Sequence, residues 1–159
     1  VPLLAMMYPR GENVKDPHDP EIVAHTARIG AECGADIVKT LYTGDIDSFK
    51  KVTESIPVPV VIAGGPKSKT DLDILQMTED AMDAGAKGVT YGRNIFAHKS
   101  PDKLVDALAG IIFRKESAKE MAKKIASFSK PIVQMCKETV NASYEMSPKI
   151  LFLSILLST

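Results

Sequence analysis

Cysteine is scarce. The two in this 159-residue chain, Cys33 and Cys136, lie far apart and fit neither a disulfide framework nor a metal-ligand spacing. Free thiols in a reducing compartment are the expectation, which points to a cytoplasmic protein. An excess of charge of one sign is also missing: 20 Lys and Arg balance 20 Asp and Glu, for a formal net charge of zero. Without a basic excess, nucleic acid is not expected as a partner. No apolar run reaches the roughly 20 residues that span a bilayer as a helix. No charged-then-apolar signal segment opens the chain, so no membrane association is expected. His18, His25 and His98 have no metal spacing between them. No metal and no cofactor are expected.

What is present suits one domain with a real core: 45% apolar and 25% charged residues. The first residue is Val1 rather than a methionine, and a strand-like run starts at once. This reads as a fragment or a processed piece.

Four strand–helix units follow one another. Val1 to Met7 is an apolar run stopped by Pro9 and Gly11. Asp19-Pro20-Glu21 carries an N-cap, a first-turn proline and a dipole-favoured carboxylate. The helix it opens shows Ile22, Val23, Thr26, Ile29 and Gly30 on one face and ends at Gly34. Ala35 to Thr40 is the second strand, followed by a helix from Ile46 to about Ser55 capped by Asp45. Pro57 to Ala63 is the third strand. Its helix runs from about Thr70 to Ala84, with Leu72, Leu75, Met77, Ala81 and Met82 broadly on one side and Gly85 as its cap. Lys87 to Tyr91 is the fourth strand, closed by Gly92-Arg93-Asn94. A helix over about Pro101 to Phe113 follows, capped by Ser100. Strands this short and apolar are expected to be parallel and buried on both faces. An open doubly wound sheet and part of a (β/α)8 barrel both suit this pattern. Four units are half of a barrel.

In either architecture the carboxyl ends of the strands share the face where sites form. The first strand ends in Tyr8 and the second in Lys39; the third ends in Gly64-Gly65 and the fourth in Gly92-Arg93. A lysine desolvated at such an end loses its proton near neutral pH and can attack a carbonyl carbon. The plain alternative is a lysine that has already emerged into solvent. Tyr8 is a candidate general acid or base, or else a rim aromatic. Glycines at strand ends let a phosphate approach backbone N–H groups, and Arg93 can pair with it. Otherwise they are tight-turn residues beside a surface charge. Lys67 is a second candidate phosphate contact or a solvated loop lysine. His25 reads as a surface or packing residue, and Asp45 and Asp47 as helix caps.

These residues resemble a family. Met6-Met7-Tyr8-Pro9-Arg10-Gly11, Ala35-Asp36-Ile37-Val38-Lys39-Thr40, Tyr42-Thr43-Gly44-Asp45, Ala63-Gly64-Gly65-Pro66-Lys67 and Gly92-Arg93-Asn94-Ile95-Phe96 are similar to the archaeal-type class I fructose-bisphosphate aldolases. Within them the Met6-Met7 pair favours the branch of the 2-amino-3,7-dideoxy-D-threo-hept-6-ulosonate synthases. The resemblance covers Val1 to about Phe113. It implies an α/β fold, the C-terminal half of a (β/α)8 TIM barrel, and Schiff-base carbon–carbon cleavage or transfer on a ketose phosphate; the alternatives are an inactive half-barrel remnant that at most binds phosphate, or a CoA-ester hydratase fragment. It implies Lys39 as the imine-forming lysine and Tyr8 as the proton-transfer residue. It implies a phosphate site from Gly64, Gly65, Gly92 and Arg93. The family's aspartate near the end of its first strand has no counterpart here. A half barrel exposes two sheet edges, so a homo-oligomer is expected.

After Arg114 the sequence changes character. Residues 1–114 read as the partial barrel and 115–159 as a helical tail of different origin. Ala122 to Met146 resembles the C-terminal helices of enoyl-CoA hydratases, without their paired glutamates. The apolar run Ile150 to Leu157 fits a core helix, an interface or a sticky tail.

Overall fold

The structure, a computed structural model, describes residues 1–127. Most of the hydratase-like stretch and the whole apolar run Ile150 to Leu157 lie outside the described residues.

Four parallel strands pair in chain order: β1 (Leu4–Met6), β2 (Ile37–Thr40), β3 (Val60–Ala63) and β4 (Gly88–Thr90). Helices α1 (Pro20–Glu32), α2 (Ile46–Glu54) and α3 (Asp71–Asp83) connect them. Beyond β4 come α4 (Arg93–Phe96), α5 (Pro101–Arg114) and α6 (Ala118–Ser127). This is the expected half-barrel order of strands and helices. The strands are shorter than the apolar runs that hold them.

The caps follow local chemistry. The Asp19 carboxylate accepts the Glu21 and Ile22 N–H groups, and Asp45 accepts that of Ser48. Thr70 and Asp73 form a reciprocal capping box on α3. Ser100 precedes α5 but makes no side-chain cap bond; its N–H donates to His98 Nδ1 instead (3.0 Å). Gly34 and Gly85 follow α1 and α3 with φ of +94° and +96°, the left-handed turn that glycine adopts without strain.

The core lies between the sheet and its helices. Val38, Thr40, Val60 and Ile62 are buried together with Val23 and Ala27 of α1, Phe49 and Val52 of α2, Leu75 of α3, and Leu104 and Leu108 of α5. The buried faces are offset from the expected ones: α1 turns in Val23, Ala27 and Gly30, and α3 turns in Ile74, Leu75, Thr78 and Ala81. Ile29 and Leu72 are exposed.

The expected burial of both sheet faces holds along β3 and β4, where Val60, Val61 and Ile62 and then Gly88, Val89 and Thr90 are all buried, but not along β1 and β2. Along β2 the pattern alternates, with Val38 and Thr40 buried and Ile37 and Lys39 half-buried. Met6 is 63% exposed. The helices cover one face of β1 and β2, and the other opens toward where four further strands of a barrel would stand.

Helix α6 packs on α3 and α5 and buries Ala118 and Met121. Gly110 allows the approach: a Cβ there would stand 2.7 Å from Met121 Sδ. Between α3 and the end of β4, Thr78 Oγ1 donates to Ile74 O (2.7 Å) and pairs with the buried Tyr91 hydroxyl (2.9 Å). Thr78→Val keeps the volume but strands that hydroxyl. It should cost about 1–3 kcal/mol in urea unfolding, and a loss below a few tenths would show that the pair contributes nothing.

Candidate active site

Strand register builds the site. Lys39 stands in line with Met6 on β1 and Val61 on β3, on the sheet face away from the helices. Burial lowers its amine pKa, with no charged group contributing. Among the described residues none pairs with its Nζ. A desolvated, unpaired amine is what attack on a carbonyl requires.

Tyr8 follows directly from the same stitching. The Met7 N–H donates to Lys39 O (2.8 Å), and Thr40 Oγ1 donates to Met7 O (3.0 Å). These bonds hold the end of β1 against Lys39 and Thr40, and Tyr8 is the next residue. Burial raises its hydroxyl pKa, partly offset by the Arg10 charge. At neutral pH it therefore holds its proton and is a donor.

The glycine loops come together at the ends of β3 and β4. Gly65 has φ +62°. Gly64 is needed for space: a Cβ there would lie 2.7 Å from the Tyr91 ring and 3.0 Å from Asn94 Nδ2. Gly92 caps α4, and Arg93 Nη2 donates to Gly65 O (3.1 Å). Gly64, Gly65, Gly92 and Arg93 thus form one cluster beyond the carboxyl ends of two neighbouring strands. Lys39 and Tyr8 occupy the same carboxyl end of the sheet.

Other candidates take structural places. Lys67 Nζ donates to Ala97 O (2.7 Å), at the end of α4. His18 Nδ1 bonds Tyr42 O (2.8 Å), and His25 is exposed. His98 Nδ1 accepts the Ser100 N–H, so the ring proton sits on Nε2, which donates to Asp71 Oδ1 (2.9 Å). Sequence reasoning missed α4 and the role of Asn94. Four residues give no helical period, and Gly92-Arg93-Asn94 reads as a turn.

Residues 1–98 match the DeoC/LacD family aldolases. The chain belongs to the DeoC/LacD aldolase family. Over 112 residues it is 46% identical to the 2-amino-4,5-dihydroxy-6-oxo-7-(phosphonooxy)heptanoate synthase of Streptomyces griseus, covering 70% of this chain and 41% of that protein. It is 44% identical, also over 112 residues, to the 2-amino-3,7-dideoxy-D-threo-hept-6-ulosonate synthase of Halobacterium salinarum, covering 70% of this chain and 42% of the other. A solved structure of a Schiff-base-forming fructose-1,6-bisphosphate aldolase superposes with a TM-score of 0.69 at 41% identity, covering 71% of this chain and 46% of that one. This aldolase-family chain spans about two-fifths of the length of the curated relatives it matches. Among its described residues no helix is long and apolar enough to cross a membrane.

Proposed function

We propose that the chain carries the imine-forming and phosphate-binding half of a class I aldolase or transaldolase-type enzyme acting on a ketose phosphate. The observation that carries this reading is Lys39, a strand-end amine with a burial-lowered pKa and no partner among the described residues. Its Nζ adds to the substrate ketone to give a carbinolamine, and loss of water leaves an iminium. Carbon–carbon cleavage sends its electron pair into the iminium, giving an enamine and releasing an aldehyde. Tyr8 donates and recovers the proton that these steps move. Gly64, Gly65, Gly92 and Arg93 hold the substrate phosphate. The acceptor aldehyde is a triose phosphate or aspartate semialdehyde.

The half-open sheet face and the two edges left unpaired among the described residues favour completion of the barrel by further strands, with a homo-oligomer as one route. The reading keeps the protein cytoplasmic, with no nucleic-acid or membrane partner. We place a change of origin after Arg114, where the sequence changes character. The hydratase-like resemblance belongs to the segment beyond it.

Proton exchange tests the mechanism. In heavy water the chain should catalyse deuterium uptake at the carbon beside the carbonyl of a triose phosphate, because the enamine is reprotonated from solvent. Tyr8→Phe should slow this by about 10²–10⁴-fold, the usual worth of one positioned acid–base group, while imine formation persists. Equal loss of both would assign Tyr8 to binding instead.

A further inference from the structure

We infer that Asn94 is a positioning residue that turns the Gly64–Ser68 loop into an anion-receiving surface. The inference rests on the phosphate-site reading above and extends it to a residue that touches no substrate. Asn94 is 4% exposed, on α4 beside Arg93. Its side chain makes three hydrogen bonds to the neighbouring loop. Nδ2 donates to Gly64 O (2.8 Å) and Pro66 O (3.2 Å), and Oδ1 accepts the Ser68 N–H (2.7 Å). Arg93 takes the carbonyl between them, Gly65 O.

All three carbonyls, Gly64, Gly65 and Pro66, therefore turn toward donors on α4. In a trans peptide the C=O and the following N–H point in opposite directions. Holding the Gly64 and Pro66 carbonyls toward Asn94 thus aims the Gly65 and Lys67 N–H groups away from it. Neither N–H has a partner among the described residues. Two free N–H groups on one loop, with the loop's carbonyls turned aside, suit a phosphate or sulfate dianion. The side chain acts through the loop, and the loop meets the anion.

Sulfate titration of the whole chain, followed by amide NMR, tests this, because sulfate stays a dianion across the pH range used. In the unaltered chain the Gly65 and Lys67 amides should shift on titration. In Asn94→Ala the affinity should fall about tenfold or more, and those two amides should stop responding while the core amides of Val38 and Phe49 keep their positions. Asn94→Asp keeps the size and the Ser68 bond but loses both donors. It should bind weakly at neutral pH and recover in part as the pH falls toward about 3.9, the ordinary aspartate value, where a protonated carboxyl donates again. A folded Asn94→Ala or Asn94→Asp chain that binds sulfate like the unaltered chain overturns the inference alone. An unaltered chain whose Gly65 and Lys67 amides ignore sulfate overturns the phosphate-site reading and the inference with it.

Discussion

Lys39→Met should abolish covalent capture of a ketose phosphate and, at the same time, make the fold more stable. Methionine keeps most of the stem and its place between Met6 and Val61, but removes the amine that forms the imine. The stability gain follows from the lowered amine pKa. Between that folded-state value and the unfolded value of about 10.4, the unfolded chain holds a proton that the folded chain lacks. Stability of the unaltered protein therefore rises with pH through that window. Below it the full cost of keeping a charged amine half-buried is present. The gain from methionine should be largest there, at most about 1 kcal/mol because solvent still screens a half-exposed amine. It should fade as the pH approaches the ordinary lysine range. Denaturant unfolding from neutral to alkaline pH measures this. A less stable Lys39→Met protein at neutral pH would mean that the amine has a partner that offsets its burial.

Phe49→Ala should destabilise the fold more than Thr78→Val does. Phe49 is fully buried on α2 and meets the Tyr42 ring edge-on, with centroids 5.2 Å apart and an interplanar angle of 67°. Truncation leaves a cavity between α2 and the sheet, at about 3–5 kcal/mol. A whole domain has only about 5–15 kcal/mol to lose. The urea midpoint should fall by roughly a fifth or more. A shift equivalent to less than about 1 kcal/mol would show that the site collapses around the smaller side chain.

The architecture was legible because its signals are local. Asp19, Asp45 and Thr70 announce their helices through side chains that reach only two or three residues ahead. Lys39 stands out because a lysine ends an apolar strand. The half-open sheet face was not legible. Ile37 and Ala63 are apolar whether or not another half barrel covers them, so composition cannot report what stands opposite. Asn94 was hidden for a different reason: its partners lie 26 to 30 residues upstream, and only folding brings them within reach. Lys67 read as a phosphate contact or a solvated charge, yet it bonds the Ala97 carbonyl, again a long-range pairing.

The central claim is that Lys39 is the imine-forming residue. Borohydride reduction of the folded chain in the presence of a ketose phosphate, followed by peptide mapping, tests it most directly. The account predicts one adduct on Lys39, carrying the mass of the reduced sugar phosphate and lost in Lys39→Met. An adduct on another lysine, labelling spread over the exposed lysines, or no adduct in a folded sample would contradict it.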